Sequence, residues 1–193
     1  MRVELDRDSH IYRIDGRIVP SVTQIISDGK KNFYTLGSDE RGHRVHASTI
    51  LYDTDSSSTV DDYPEYLRGW VKAWASFRKE SGFFPLHTEI IGCDHDGRYA
   101  GTIDRIGSIG KRKLTIDIKS GGKERKHKLQ LAGYHGLEGV DEAGDLWTGA
   151  NELAIVYIRN DGTYQFDRIS EADRMNAVIE FKQRLSKMLG EAV

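Results

Sequence analysis

The sequence predicts an α/β domain with a central mixed β-sheet flanked by helices. Three observations predict it. Short runs that alternate apolar and polar residues are interleaved with longer runs at helical spacing, in the order β, α, α, α, βββ, α, ββ, α. The 193 residues suit one domain, or at most two very small ones. Hydrophobic residues make up 38% and charged residues 30%, with three prolines, enough apolar mass for one core. One domain over 1–193 is expected, divided into 1–36 (hairpin and short helix), a central 37–145, and 146–193 (hairpin and helix).

The elements follow from local signals. Val3-Glu4-Leu5 and Ile11 to Ile14 alternate in character, and Asp15-Gly16 marks a turn before Arg17-Ile18-Val19. Ser21 suits the N-cap of a short helix over Val22 to Ile26. A second helix is expected over Asp39 to Leu51, and the acidic, serine-rich stretch Asp53 to Pro64 reads as a loop. Pro64 opens a third helix that runs to Lys79. Its Leu67, Trp70, Val71, Trp74 and Phe77 form a core-facing stripe, with base stacking as the alternative use. Strands are expected over Thr88 to Cys93, Arg98 to Ile106 and Lys113 to Lys119. Gly-containing turns separate them. A helix over Arg125 to Val140 follows, then a hairpin from Leu153 to Arg159 and Tyr164 to Ile169 around Asn160-Asp161-Gly162. Ser170 caps a last helix with Asp173 at the capping-box position.

Composition excludes several classes. With Cys93 as the one cysteine, one chain cannot build a disulfide framework, a four-cysteine zinc site or a four-thiolate iron–sulfur cluster. No apolar run approaches the length of a transmembrane helix. The charged N-terminus lacks the apolar segment of a signal peptide, so a cytoplasmic protein with no membrane partner is expected. The formal charge of −2 alone argues mildly against a nucleic-acid coat protein.

The chemistry concentrates in two strands. One ends Gly101-Thr-Ile-Asp104, the other Asp117-Ile118-Lys119. Strand period two puts Asp117 and Lys119 on one face and Ile118 on the other. The short connection makes the strands antiparallel neighbours, which brings Asp104 near Asp117. Adjacent carboxylates repel unless a cation sits between them, and oxygen ligands favour Mg²⁺ or Mn²⁺. A lysine two residues on can orient a water or face charge developing on a phosphate. The plain alternative is an exposed Asp–Lys pair on an amphipathic strand. Gln130 and Tyr134 are i, i+4 neighbours on one helix face, and His46 in Gly42-His-Arg-Val-His46 offers a nitrogen ligand. His87, Cys93 and His95 lack a fourth partner for zinc.

This ordered set resembles the PD-(D/E)XK nuclease superfamily, in its RecB-like exonuclease branch. It is similar to stand-alone phage exonucleases and the mitochondrial genome maintenance exonuclease. The family pattern runs G-x-x-x-H, a glutamate, G-x-x-D, (D/E)-x-K and Q-x-x-x-Y. Here these are Gly42 to His46, Glu89, Gly101 to Asp104, Asp117 to Lys119, and Gln130 to Tyr134. The resemblance implies a restriction-endonuclease-like core and metal-dependent hydrolysis of DNA, as an exonuclease in recombination, repair or phage DNA processing. It implies His46, Asp104, Asp117 and the Ile118 carbonyl as ligands of Mg²⁺ or Mn²⁺. Lys119 would orient the attacking water, Gln130 and Tyr134 would support the site and contact DNA, and Glu89 would be a further carboxylate. The cluster cysteines of the iron–sulfur members are missing, so no Fe–S cluster is expected. A recombination or replication protein is a possible partner. A DNA-binding protein without catalysis and a site-specific endonuclease are the competing expectations.

Charge patterning adds a DNA-binding expectation. Lys111 to Lys128 holds eight basic residues against Asp117 and Glu124, a local sum of +6, leaving −8 for the rest of the chain. Ser120, Lys123, Arg125, Lys126 and Lys128 directly follow the site and are expected on phosphates, with a solvated basic loop as the alternative.

Overall fold

Leu153 to Ile158 is an unbroken apolar and aromatic run, and Leu114 to Ile118 is buried at every position, the pattern of strands covered on both faces. A computed structural model describes residues 1–27, 38–141 and 143–191. In it, Arg112–Lys119 (β6) and Glu152–Ile158 (β9) lie side by side and parallel near the middle of a seven-stranded sheet. Phe83–Asp94 (β4) and Ala100–Ile109 (β5) extend it, joined by Leu137–Val140 (β7) and Leu146–Thr148 (β8), with Tyr164–Arg168 (β10) at the far edge. The order is β10-β9-β6-β5-β4-β7-β8, antiparallel except for β6–β9. Val3–Asp6 (β1), Ile11–Ile14 (β2) and Arg17–Val19 (β3) form a separate small sheet that packs Tyr12 and Ile14 against Cys93 and Ala100.

Helices cover both faces of the large sheet. Val22–Ile26 (α1), Arg125–His135 (α4) and Glu171–Leu189 (α5) bury Ile25, Leu131 and Phe181 with Ile103, Ile155 and Tyr157. Ser38–Thr54 (α2) and Glu65–Ser81 (α3) bury Val45, Trp74 and Phe77 with Leu114, Ile116 and Ile118. The stripe expected on the third helix is core: Leu67, Val71, Trp74 and Phe77 are buried and Trp70 is half-buried. The α/β architecture with a mixed sheet flanked by helices is therefore the one expected. Among the described residues no helix is long and apolar enough to cross a membrane. The expected boundary near residue 36 lies outside the described residues.

Three local expectations are corrected. The helix from Arg125 stops at His135, because Gly136 caps it and Leu137 turns into the core. Leu137–Val140 then pairs with β4 (Cys93↔Glu138) instead of continuing the helix. The helix before the acidic stretch runs on to Thr54, so Asp53 is helical and not loop. The three-residue strand β8 was not anticipated. The caps at Ser21 and Ser170 form as expected, each accepting from the backbone N–H three residues on, at 3.1 Å.

Candidate metal and catalytic site

The site forms where two neighbouring strands part. The β5–β6 ladder runs from Ile109↔Arg112 to Arg105↔Ile116 and stops there. Beyond it the Ile118 N–H donates to the Asp104 side chain (Oδ2, 2.7 Å) instead of to a backbone carbonyl. Asp104 and Asp117 face one another across this gap. Elements from both helical layers reach it: α2 brings His46, and α4 brings Gln130 and Tyr134.

His46, Glu89 and Asp104 come together, with one ligand atom from each lying within 4.8 Å of the others. His46 Nδ1 is 3.6 Å from Asp104 Oδ2 and 3.9 Å from Glu89 Oε1. Its Nε2 is 2.9 Å from the Ile118 carbonyl oxygen. A carbonyl only accepts, so Nε2 carries a proton and donates to it, which leaves Nδ1 as the nitrogen facing the carboxylates. Burial pulls the His46 pKa down, but Asp104 and Glu89 outweigh it and the net shift is upward.

The structure promotes Glu89 to a full member of the cluster. It stands in β4 between Thr88↔Arg105 and Ile90↔Ile103, level with Asp104. Its φ is +49°, a left-handed conformation that costs a non-glycine residue about 1 kcal/mol or more. The irregularity re-aims the carboxylate from its place in the pleat towards His46.

Asp117 lies outside that trio and is fully buried. Its Oδ1 accepts from Lys119 Nζ at 2.9 Å. Oδ2 is 2.8 Å from the same nitrogen but makes no hydrogen bond among the described residues. Burial raises the Asp117 pKa, Lys119 opposes the rise and the Asp104 charge adds to it. Ile118 offers its carbonyl to the site, where it accepts from His46.

Gln130 Nε2 donates to the Tyr134 hydroxyl at 2.6 Å. Tyr134 is buried, and burial and then the charges of Asp104 and Asp117 push its pKa up. The phenol is therefore a neutral brace behind the carboxylates. Tyr134, expected on DNA, is buried, and half-buried Gln130 is the member of the pair that touches solvent.

The basic segment is not an open cationic face. Lys123 pairs with Asp167 (2.6 Å), Lys126 with Glu124 (2.9 Å), Lys128 with Asp173 (3.1 Å) and Arg125 with Glu180. Ser120 sits half-buried just past Lys119. His87, Cys93 and His95 separate: His87 is 3.9 Å from Asp141, His95 is 3.0 Å from Glu138, and Cys93 is buried in the core.

A second charged group was not anticipated. Asp53, at the end of α2, is fully buried and accepts from Trp74 Nε1 (2.9 Å), Arg78 NH1 (2.6 Å) and Arg105 Nε (2.6 Å). Arg105 also donates to the Asp104 carbonyl (2.6 Å) and to Thr49 Oγ1 (3.1 Å), and Thr49 donates to the His46 carbonyl (2.8 Å). One guanidinium thus ties the His46 helix to the Asp104 strand. The signal was spacing: Val45, Thr49, Tyr52 and Asp53 share a helix face, but three of the four have a polar end.

The donor set fits a hard divalent ion. Around an octahedral ion with ligands at about 2.1 Å, neighbouring ligand atoms lie about 3 Å apart and opposite ones about 4 Å. The separations of His46 Nδ1 from Asp104 Oδ2 and Glu89 Oε1, 3.6 and 3.9 Å, fall within that range. With His46 neutral, the three carboxylates against Lys119 leave a formal −2, which one divalent cation cancels.

No protein-family model and no curated protein matches the chain. A solved structure titled "Crystal structure of SSO0001" is similar at a TM-score of 0.39 and 17% identity, over 90% of this chain and 77% of that one. At that distance the likeness carries no argument about fold or activity.

Proposed function

We propose that this chain is a divalent-metal-dependent deoxyribonuclease of the RecB-like PD-(D/E)XK type, hydrolysing phosphodiester bonds from DNA ends. The observation that carries the reading is the under-neutralised cluster of His46, Glu89 and Asp104 with the Asp117–Lys119 pair beside it. An ion held by His46, Glu89 and Asp104 would supply Lewis-acid activation of the phosphate and acidify a water. Lys119 presents an ammonium, one-fifth exposed, at the edge of the cluster, where it orients the nucleophile and faces charge developing on the phosphate. Asp117 fixes that ammonium, and Tyr134 and Gln130 brace the carboxylates from behind. The setting proposed is recombination, repair or phage DNA processing in a bacterial or phage-infected cytoplasm, with a recombination or replication protein as partner.

A DNA-binding role with little catalysis is the second reading, favoured by the engagement of Lys119 with Asp117. Digestion of end-labelled single- and double-stranded DNA with Mg²⁺ or Mn²⁺, with EDTA as control, decides between them. Progressive shortening from an end is expected. Discrete bands would make the protein a site-specific endonuclease, and binding without cleavage would favour the second reading. Lys119→Ala should slow cleavage by about 10²–10³ with the fold retained by circular dichroism. Unchanged cleavage would remove Lys119 from its role.

A further inference from the structure

We propose that a cleft beside the site, between α2, α3 and the loop after β6, holds the phosphate backbone of a single nucleic-acid strand on Arg41 and Arg159. This rests on reading the site as that of a nuclease. The cleft has a volume of about 420 Å³ and opens one residue beyond Lys119, at Ser120. Arg41, on α2, and Arg159, just past β9, are both exposed and line it. Neither makes an ion pair among the described residues, whereas each of the four basic residues at the start of α4 is matched to an acid. The acid at this rim, Asp161, is turned to its own loop, accepting from Thr163 N (2.9 Å) and Oγ1 (2.6 Å). Positive charge is therefore available in this cleft and largely offset around α4.

The other linings suit a strand. Gly121 and Gly122 leave the loop backbone open to close approach by a ligand. Half-buried Trp70 adds the edge of an aromatic ring. The far end is closed and fixed: a Cβ on Gly69 of α3 would fall 1.6 Å from the Asn160 carbonyl oxygen, so the helix touches the β9–β10 turn directly. Arg41 precedes His46 by five residues on one helix, about 7.5 Å along the axis, or about two steps of a stacked strand at 3.4 Å each. A volume of about 420 Å³ encloses a short stretch of one strand and not a duplex.

The test is fluorescence anisotropy of a labelled single-stranded oligothymidine and of a blunt duplex, in EDTA, over a range of salt. Arg41→Gln and Arg159→Gln should each weaken single-strand binding about tenfold and flatten the log–log salt slope by about 0.7 per arginine. Arg125→Gln with Lys128→Gln should change affinity less than about twofold, and all variants should melt as the wild type does. No single-strand binding by the wild type, an unchanged slope in the arginine variants, an equal loss in the control pair, or equal affinity for the duplex would each overturn the assignment. Binding is read without metal or cleavage. Failure of the nuclease reading appears instead as absent cleavage in Mg²⁺ or Mn²⁺ by a protein that still binds the strand through these arginines.

Discussion

Two groups of buried charge lie on either side of the β5 backbone, joined by Arg105, and they are satisfied to opposite degrees. Around Asp53 every carboxylate oxygen is used: Oδ1 accepts from Trp74 and Arg78, and Oδ2 from Arg105. Two guanidiniums outweigh one carboxylate. Around Asp104 the balance is reversed. Three carboxylates share one ammonium and a histidine, and a buried oxygen of Asp117 has no hydrogen-bond partner. Buried charge is retained where it is neutralised and hydrogen-bonded. The Asp53 group satisfies its carboxylate from its own residues, and its excess positive charge lies on Arg78, which is partly exposed and whose Nε lacks a hydrogen-bond partner among the described residues; the group is structural. The Asp104 group meets it only with an added cation, which marks it as the functional one.

The same substitution should therefore have opposite effects in the two groups. Asp53→Asn removes the counter-charge of the buried Arg105 guanidinium and of half-buried Arg78, and should cost about 3 kcal/mol in urea unfolding. Asp117→Asn removes an anion whose ionised form the fold disfavours, and should raise metal-free stability at neutral pH by on the order of 1 kcal/mol. That gain should shrink as pH falls, because protonation of Asp117 relieves the same repulsion in the wild type. A loss of several kcal/mol at both positions would erase the distinction.

A smaller effect is expected at Glu89. Glu89→Gly removes both the carboxylate and the left-handed strain, and should raise metal-free stability by about 1 kcal/mol while abolishing stabilisation by Mn²⁺. Glu89→Gln keeps the strain and should lose only the metal response. Thermal melting with and without Mn²⁺ reads both, and a destabilised glycine variant would show that the conformation is unstrained.

A purely pH-dependent effect concerns His127, which is buried at the start of α4 beside Tyr157. Burial first, and then Lys119, push its pKa down to about 4 from 6.5. Between those values the unfolded chain binds a proton that the native protein does not, so stability falls as pH drops from 6.5 towards 4. His127→Gln should flatten that slope in urea titrations. An unchanged slope would assign the acid sensitivity elsewhere.

Much of the site was legible because its residues sit at the ends of strands with clear periodicity. Asp104 and Asp117 follow apolar runs, and a short connection forces their pairing. The helix bearing His46 was visible from its spacing. Four features were hidden for physical reasons. The partners of the basic segment, Asp167, Asp173 and Glu180, lie about 45–55 residues away in sequence, so a local charge sum overstated the field. Asp53 lies on a buried helix face built from Thr49 and Tyr52, which hydrophobic patterning does not detect. Glu89 gains its place through a backbone distortion that no propensity signals. The helix end at Gly136 was missed because apolar spacing continues through Leu137, which is buried as a strand residue instead.

The central claim is that the under-neutralised group holds a divalent cation. Calorimetric titration of Mn²⁺ into the wild type and Asp104→Asn tests it most directly. One ion per chain is predicted for the wild type, with binding at least about tenfold weaker in the variant. A wild type that takes up no Mn²⁺, or a variant that binds it equally well, would contradict the account.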